Sequence, residues 1–313
     1  MKAYGPVPSR RLGRSLGINN IPAKNCTYSC IYCQLGTTLD LQSKRKNFYD
    51  PSEIKEEVDR KVQEARDNGI QVDYLSFVPD GEPTLEERLG EEIDLVASLE
   101  IDVAVISNAS LIWDDAVKSD LAKADWVSLK VDAVSESIWR KINRAHKSLS
   151  LNKILEGIED FANQFDGTLA TETMLLEGHN DSTVEVNRIG NFLGQVGPDE
   201  PYIAVPTRPP AESWAKPASE ESITRAYKIF NDNLDNVEYL LGYEGDKFSS
   251  TGNAREDLLS ITSVHPMRKS GVDELLQEAG AEWDIVEELL EEDELIRTEF
   301  GEDQFYLRKL PSN

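Results

Sequence analysis

Short apolar runs rich in β-branched residues take turns along this chain with longer stretches in which apolar positions recur every three or four residues. The first pattern predicts strands and the second helices, and their alternation predicts repeated βα units. The run "LGINNIP" opens the series, and "DPSEIKEEVDRKVQEARDNG" follows as a helix with Asp50 as N-cap, Pro51 in its first turn, Ile54, Val58 and Val62 on one face and Gly69 as terminator. The strands "VDYLSFVP", "IDVAVIS", "DWVSLKV", "TLATETMLL" and "YIAVPT" come next, with helices expected at 84–100, 114–123, 135–165, 182–195 and 219–233, and "VEYLLGY" reads as an edge strand.

Six βα units are too few to close an eight-fold barrel, which leaves a partial barrel or a doubly wound sheet. No G-x-G-x-x-G follows the first strand, which argues against a dinucleotide-binding sheet. The expected fold is therefore α/β, a partial (β/α)6 barrel over residues 1–250. Beyond about Gly252 the texture changes to three short helices and a hairpin turning at Gly301, which predicts a small winged-helix-like α+β module over 251–313. Its third helix carries Glu282, Asp284, Glu287, Glu288, Glu291 and Glu292, so groove binding to DNA is not expected and a packing or protein-contact role is.

Charge sharpens this picture. The 313 residues include 58 acidic and 33 basic side chains, a formal charge of -25, which opposes polyanion binding except where cations gather. They gather at Arg10, Arg11 and Arg14 and at Lys44, Arg45 and Lys46, on either side of the cysteines; these read as ordinary solvated charges or as a positive rim for an anionic substrate. No apolar run approaches the eighteen or so residues that span a bilayer, and "MKAYGPVPSRR" is not of signal-peptide type, so a cytoplasmic protein without membrane association is expected.

The three cysteines, Cys26, Cys30 and Cys33, all lie in "KNCTYSCIYCQLG". An odd count disfavours a disulfide framework. Zinc with a distant fourth ligand and a Cys30/Cys33 redox pair stay open as readings. Three thiolates in a loop suit an iron–sulfur cluster with one iron left for a small molecule.

The spacing C-x3-C-x2-C with Tyr32 before the last cysteine, at the end of a first barrel strand, resembles the radical S-adenosylmethionine superfamily. "VPSRRLGRSLGINNIP" and "TRPPAESWAKPASEES" are similar to its subgroup of Fe-S oxidoreductases related to the enzyme that forms the wyosine base in tRNA. The resemblance implies that Cys26, Cys30 and Cys33 hold a 4Fe-4S cluster. It implies that the open iron binds S-adenosyl-L-methionine, and that one electron cleaves this to methionine and a 5′-deoxyadenosyl radical, which takes hydrogen from a substrate. Tyr32 is then expected against the adenine. "PDGEPTL" matches the superfamily's Gly-Gly-Glu motif at Gly81 and Glu82, which would hold the methionine end, but has Asp80 in place of the first glycine.

Ser107 and Asn108 end the third strand, and Ser128, Lys130 and Asp132 share one face of the fourth; the resemblance implies that polar side chains of this region hold the cofactor, with Ser128, Lys130 and Asp132 as candidates for contacts to its ribose or carboxylate. Glu172 in "ATETMLL" is expected to be a buried carboxylate needing a partner, Met174 to be core, and Thr207 and Arg208 to sit where an anion can be held. His179, Asn180 and Asp181 read as turn chemistry. An external one-electron donor of flavodoxin or ferredoxin type is expected, with a macromolecular substrate, protein or tRNA. With no spare cysteine, a second cluster of the wyosine type cannot be built from cysteine. The alternative is an Fe-S electron-transfer or redox-sensing protein without radical chemistry.

Overall fold

The computed structural model describes residues 2–241, 248, 250 and 252–309. The chain begins with an antiparallel hairpin, β1 (Ala3–Ser9) and β2 (Gly13–Ile18), and then carries two short strands, β3 (Asn25–Cys26) and β4 (Asp40–Leu41), beside the cysteines. Five parallel strands alternate with helices after that: α1 (Pro51–Asp67), β5 (Tyr74–Phe77), α2 (Leu89–Ala97), β6 (Asp102–Ser107), α3 (Asp115–Leu121), β7 (Trp126–Lys130), α4 (Glu136–Ile142), α5 (Leu151–Ala162), β8 (Thr168–Met174), α6 (Thr183–Val196), β9 (Glu200–Ala204) and α7 (Glu220–Asn231). A short edge strand, β10 (Glu238–Leu240), ends the series; the end of "VEYLLGY" lies outside the described residues.

The main sheet has eight strands in the order β1-β2-β5-β6-β7-β8-β9-β10, parallel from β2 onward. This is the α/β partial barrel with six βα units that the hydrophobic pattern predicts. The hairpin strand β1 is an addition. Its sequence, AYGPVPS, holds one glycine and two prolines, which mask a strand signal yet are tolerated on an edge. Helix α1 begins as expected, with the Asp50 carboxylate accepting from Ser52 N at 2.9 Å. The helix expected at 84–100 is broken into a single turn, Pro83–Leu85, and α2. Glu86 between them is extended, bridges Lys46, and accepts from the backbone amides of Phe48 and Arg88.

The helices cover the convex side of the sheet and bury the larger apolar core, including Leu75, Val103, Val127, Ile158 and Ile189. On the concave side a smaller group, Leu12, Ala104, Trp126, Ala170, Tyr202, Ala204 and Leu240, fills one end of the barrel. Alternation along each strand produces both groups, and the strand carboxyl ends above the second remain polar.

Helix α8 (Ala254–Val264), β11 (Met267–Arg268), α9 (Lys269–Ala279), α10 (Asp284–Glu291), β12 (Leu295–Phe300) and β13 (Asp303–Arg308) form a separate apolar cluster around Leu258, Val272, Leu275 and Leu289. Their sheet order is β11-β13-β12, with the hairpin turn at Gly301. The two-residue β11 is too short to leave a pattern. Val7 of β1 packs against this cluster. Among the described residues no helix is long and apolar enough to cross a membrane.

Candidate functional site

The cysteine loop crosses the carboxyl end of the sheet and is pinned from every side. Ile31 N donates to Ile142 O at 2.9 Å and Glu212 N to Ile31 O at 2.9 Å. His146 N donates to Thr27 O at 2.9 Å and Glu82 N to Asn25 O at 3.1 Å. A loop tied to three other segments holds its side chains in place without regular structure of its own. The apolar Tyr28 and Ile31 anchor it in the core, with the Tyr28 ring set edge-on to Trp139 at 5.8 Å.

Cys26, Cys30 and Cys33 are partly buried free thiols. Nitrogen donors approach them: Tyr28 N and Asn108 Nδ2 at 3.5 Å from Cys26 Sγ, and Asn143 Nδ2 at 3.5 Å from Cys30 Sγ. Burial pushes all three thiols up. The Glu82 charge and the neighbouring cysteines add to this for Cys26; Cys30 reaches about 12, with Asp132 adding and Asn143 opposing. Three mutually repelling thiolates in one loop need a positive partner to coexist. A cationic iron–sulfur core supplies it, and amide N–H groups aimed at the sulfurs are the outer support such ligands use. The donor set therefore fits a cluster.

Glu82 is the hub beneath Cys26. Its carboxylate accepts from Thr84 N at 3.1 Å, Thr84 Oγ1 at 2.7 Å, Ser107 Oγ at 2.7 Å and Asn108 N at 2.7 Å. Burial pushes it up, and these donors pull it partly back. Gly81 is required by contact: a β-carbon there would lie 1.9 Å from Asn25 O. Asp80 is buried, its backbone oxygen accepting from Lys24 N at 2.6 Å.

The Tyr32 hydroxyl donates to Asp132, whose carboxylate also accepts from Asn143 Nδ2 at 2.7 Å and Met174 N at 2.9 Å. Lys130 Nζ lies 5.1 Å from the Tyr32 ring centre, donates to Glu172 at 2.7 Å and stands 3.7 Å from Asp132. Glu172 finds the partners it needs in Lys130 and Arg11. Burial would raise its carboxyl, but these two cations hold it down at about 2.

The structure thus brings Tyr32, Glu82, Ser107, Asn108, Lys130, Asp132 and Glu172 into one polar layer with the cysteines. Ser128 stands apart. It is fully buried deeper in the barrel, beside Ile106 in the strand register, and its hydroxyl has no hydrogen-bond partner among the described residues. Met174 packs as core, and Asn180 is turn chemistry, accepting from Leu176 N at 2.8 Å and donating to Asp132 O at 2.8 Å. Arg208 reaches Gln34 Oε1 at 2.6 Å and His265 Nε2 at 2.9 Å.

One cation of each basic cluster is committed inside the fold. Arg11 turns into the barrel onto Glu172, and Arg45 is pinned by the backbone oxygens of Thr84 and Glu86 and by Asp120. Asn143, Thr27 and Gln34 carry no local sequence signal of a role in the site. Asn143 is simply the last residue of a helix turn, and only the fold sets it between Cys30 and Asp132.

A family model described as the radical SAM superfamily matches residues 20–187. UPF0026 protein MJ1312 of Methanocaldococcus jannaschii is 42% identical over 312 residues, 99% of this chain and 97% of that protein. Among solved structures, TYW1 with a lysine-pyruvate adduct bound superposes with a TM-score of 0.55 at 16% identity, over 71% of this chain and 74% of that one. Streptococcus suis SuiB bound to S-adenosylmethionine gives a TM-score of 0.54 at 15% identity, over 80% of this chain and 57% of that one. At such identities the two structures show a common fold.

Proposed function

The chain belongs to the radical SAM superfamily, enzymes that use S-adenosylmethionine and an iron–sulfur cluster, and from that premise we propose that it binds a 4Fe-4S cluster through Cys26, Cys30 and Cys33. The bound cluster and S-adenosylmethionine would together supply a 5′-deoxyadenosyl radical for hydrogen abstraction from a protein or tRNA substrate. The observation that carries this is the single loop holding all three thiols at the carboxyl end of the sheet, with the Asn108 and Asn143 amides aimed at two of the sulfurs.

The chain's own residues divide the work. Asn108 and Asn143 donate toward Cys26 and Cys30 and stabilise their thiolates. Glu82, held by Thr84 and Ser107, orients the Asn108 backbone, and with Gly81 presents a carboxylate for the ammonium of the methionine end. Tyr32, fixed by Asp132, offers its flank to the adenine. Lys130 carries a positive charge into the layer, its ammonium kept protonated by Asp132 and Glu172 against the opposing effect of burial, and so suits a carboxylate or ribose oxygen. Because every cysteine is used in the loop, the electron comes from an external one-electron donor of flavodoxin or ferredoxin type.

The test is anaerobic reconstitution with iron and sulfide, followed by dithionite and S-adenosylmethionine. The expected products are methionine and 5′-deoxyadenosine, both lost in Cys26→Ala, Cys30→Ala and Cys33→Ala. A cluster that cycles between redox states while no 5′-deoxyadenosine forms overturns the reading in favour of an electron carrier or redox sensor.

A further inference from the structure

Two stretches around the cysteine loop reverse the charge of the chain. Residues 137–155 hold five cations and no carboxylate, and residues 41–49 hold three and none, although the chain's average density would place about five carboxylates there. The two stretches are fastened together, with Ser43 Oγ 2.7 Å from Ser148 Oγ. Both are also bonded to the loop: Gln42 N donates to Cys26 O at 3.0 Å, Ser29 N to Asn143 O at 3.0 Å, Ile31 N to Ile142 O at 2.9 Å and His146 N to Thr27 O at 2.9 Å. Asn143 carries the contact inward, its side-chain amide 3.5 Å from Cys30 Sγ. Lys141, Arg144 and Lys147 are the immediate chain neighbours of these anchoring residues.

Neighbouring carboxylates reach half of these cations. Glu136 meets Arg140 at 2.9 Å, Glu212 meets Arg144 at 2.6 Å, Asp40 lies 3.7 Å from Lys46, and Asp120 holds Arg45. Lys44, Lys141, Lys147 and Lys153 are exposed and form no ion pair among the described residues. At the edge of this face Trp214 is 45% exposed, with the Arg144 guanidinium 6.0 Å from its ring centre. An exposed indole beside cations supplies the aromatic anchor and charged surround that protein interfaces use. On the concave side of the barrel a cavity of about 150 Å³, bounded by Arg11, Ser76 and Asp80 among others, takes none of these residues into its lining. A molecule seated on the basic face therefore touches the cysteine loop from outside the cavity.

We propose that this face, built on Lys44, Lys141, Arg144 and Lys147, docks the one-electron donor, a small redox protein whose carboxylates surround its own redox centre. The proposal rests on the function given above and names the surface that the partner of that reaction uses. The donor loses one electron and the bound cluster gains it, and no proton or group is transferred. Asn143 places the docked donor one side chain away from a cluster ligand. Because the chain as a whole is strongly acidic, like charge turns such a donor from other faces, and the basic face sets its approach and orientation. RNA is the other polyanion of matching charge, but a substrate has to present its hydrogen at the reacting centre, and this face lies off the cavity.

The experiment titrates the anaerobically reconstituted full chain with oxidised flavodoxin as the acidic probe, and in parallel with bulk tRNA, both read by calorimetry. Iron and sulfide content, determined first, reports on the functional reading by itself, because flavodoxin binding is read whether or not S-adenosylmethionine is cleaved. The expected result is that flavodoxin binds. Raising the salt from about 0.01 M to about 0.15 M, which shortens the screening length from roughly 30 to 8 Å, weakens that binding about tenfold or more. The combined variant Lys44→Glu, Lys141→Glu, Lys147→Glu loses about tenfold or more in affinity and in the rate of cluster reduction by reduced flavodoxin. Its iron content, and its complete reduction by dithionite, stay as in the wild type. Lys147→Glu alone costs more affinity than Lys228→Glu, the same change of total charge on α7. Should the combined variant not fold, Lys141→Gln with Lys147→Gln, which removes charge without reversing it, gives a loss in the same direction. The proposal is overturned if flavodoxin does not bind the wild type, or if the combined variant binds it as tightly. It is equally overturned if tRNA displaces flavodoxin and loses its own binding in the same variant, which would make the face an RNA surface.

Discussion

Tyr32 and Asp132 join the cysteine loop to the end of β7: the phenol hydroxyl donates to the carboxylate, and Asn143 donates to the same oxygen while also approaching Cys30. One carboxylate thus sets the position of an aromatic flank and of a sulfur donor. Asp132→Ala strands the Tyr32 hydroxyl, the Asn143 amide and Met174 N. With each buried donor worth about 1–3 kcal/mol when unpaired and the three acting together, the expected loss is about 3 kcal/mol in urea unfolding. Iron bound per chain should fall with it. Unchanged iron loading would show that Asn143 needs no orientation from Asp132.

Gly81 makes a prediction that separates packing from chemistry. A β-carbon at this position meets Asn25 O at 1.9 Å, and that oxygen also accepts from Glu82 N, so neither backbone segment yields without loss. Gly81→Ala is expected to cost about 3 kcal/mol, at the upper end for overpacking, and to lower iron loading because Asn25 immediately precedes Cys26. Wild-type stability in this variant would mean that the cysteine loop moves freely over β5.

What the sequence discloses and what it withholds follow from the range of the interactions. Strands and helices were legible because their apolar periods are local; Asp50 and Gly69 bound α1 where turn chemistry puts them. The break in the helix expected from residue 84 leaves no local signal, because it depends on Glu86 pairing with a partner forty residues earlier, Lys46. The cysteines were legible by spacing and Glu172 by its place in an apolar alternation. Asn143 and Gln34 were not, since their contacts to Cys30, Asp132 and Arg208 arise only when the chain is folded.

Glu172 supports a prediction with a defined pH course. Its folded carboxyl is held at about 2 against an ordinary 4.5, so its contribution to stability is complete above the ordinary value and is lost as pH falls through about 2. Glu172→Gln leaves Arg11 and Lys130 half-served in a mostly buried setting, and the expected cost at neutral pH is about 3 kcal/mol. The guanidinium midpoints of variant and wild type should converge on acidification. A gap that stays constant down to the lowest pH would place the cost in packing instead of charge.

Glu92 predicts the opposite sign. It is fully buried on α2, accepts from Asn20 Nδ2 at 3.0 Å, and its other oxygen has no partner among the described residues. Burial pushes it up to about 8, with the Asn20 bond opposing and the Glu86 charge adding. Because the native state holds this proton after the unfolded chain has released it, stability contributed by the protonated form is complete below about 4.5 and is lost as pH rises through about 8. Glu92→Gln keeps an acceptor for Asn20 and cannot ionise. It should match the wild type near pH 4 and exceed it by up to about 5 kcal/mol near pH 9, measured as urea midpoints in the two buffers. Asn20 lies in the segment that leads into the cysteine loop, so the same variant should also hold iron loading to a higher pH than the wild type does; a variant less stable than wild type at alkaline pH would mean that the Glu92 carboxylate has a cationic partner in solution.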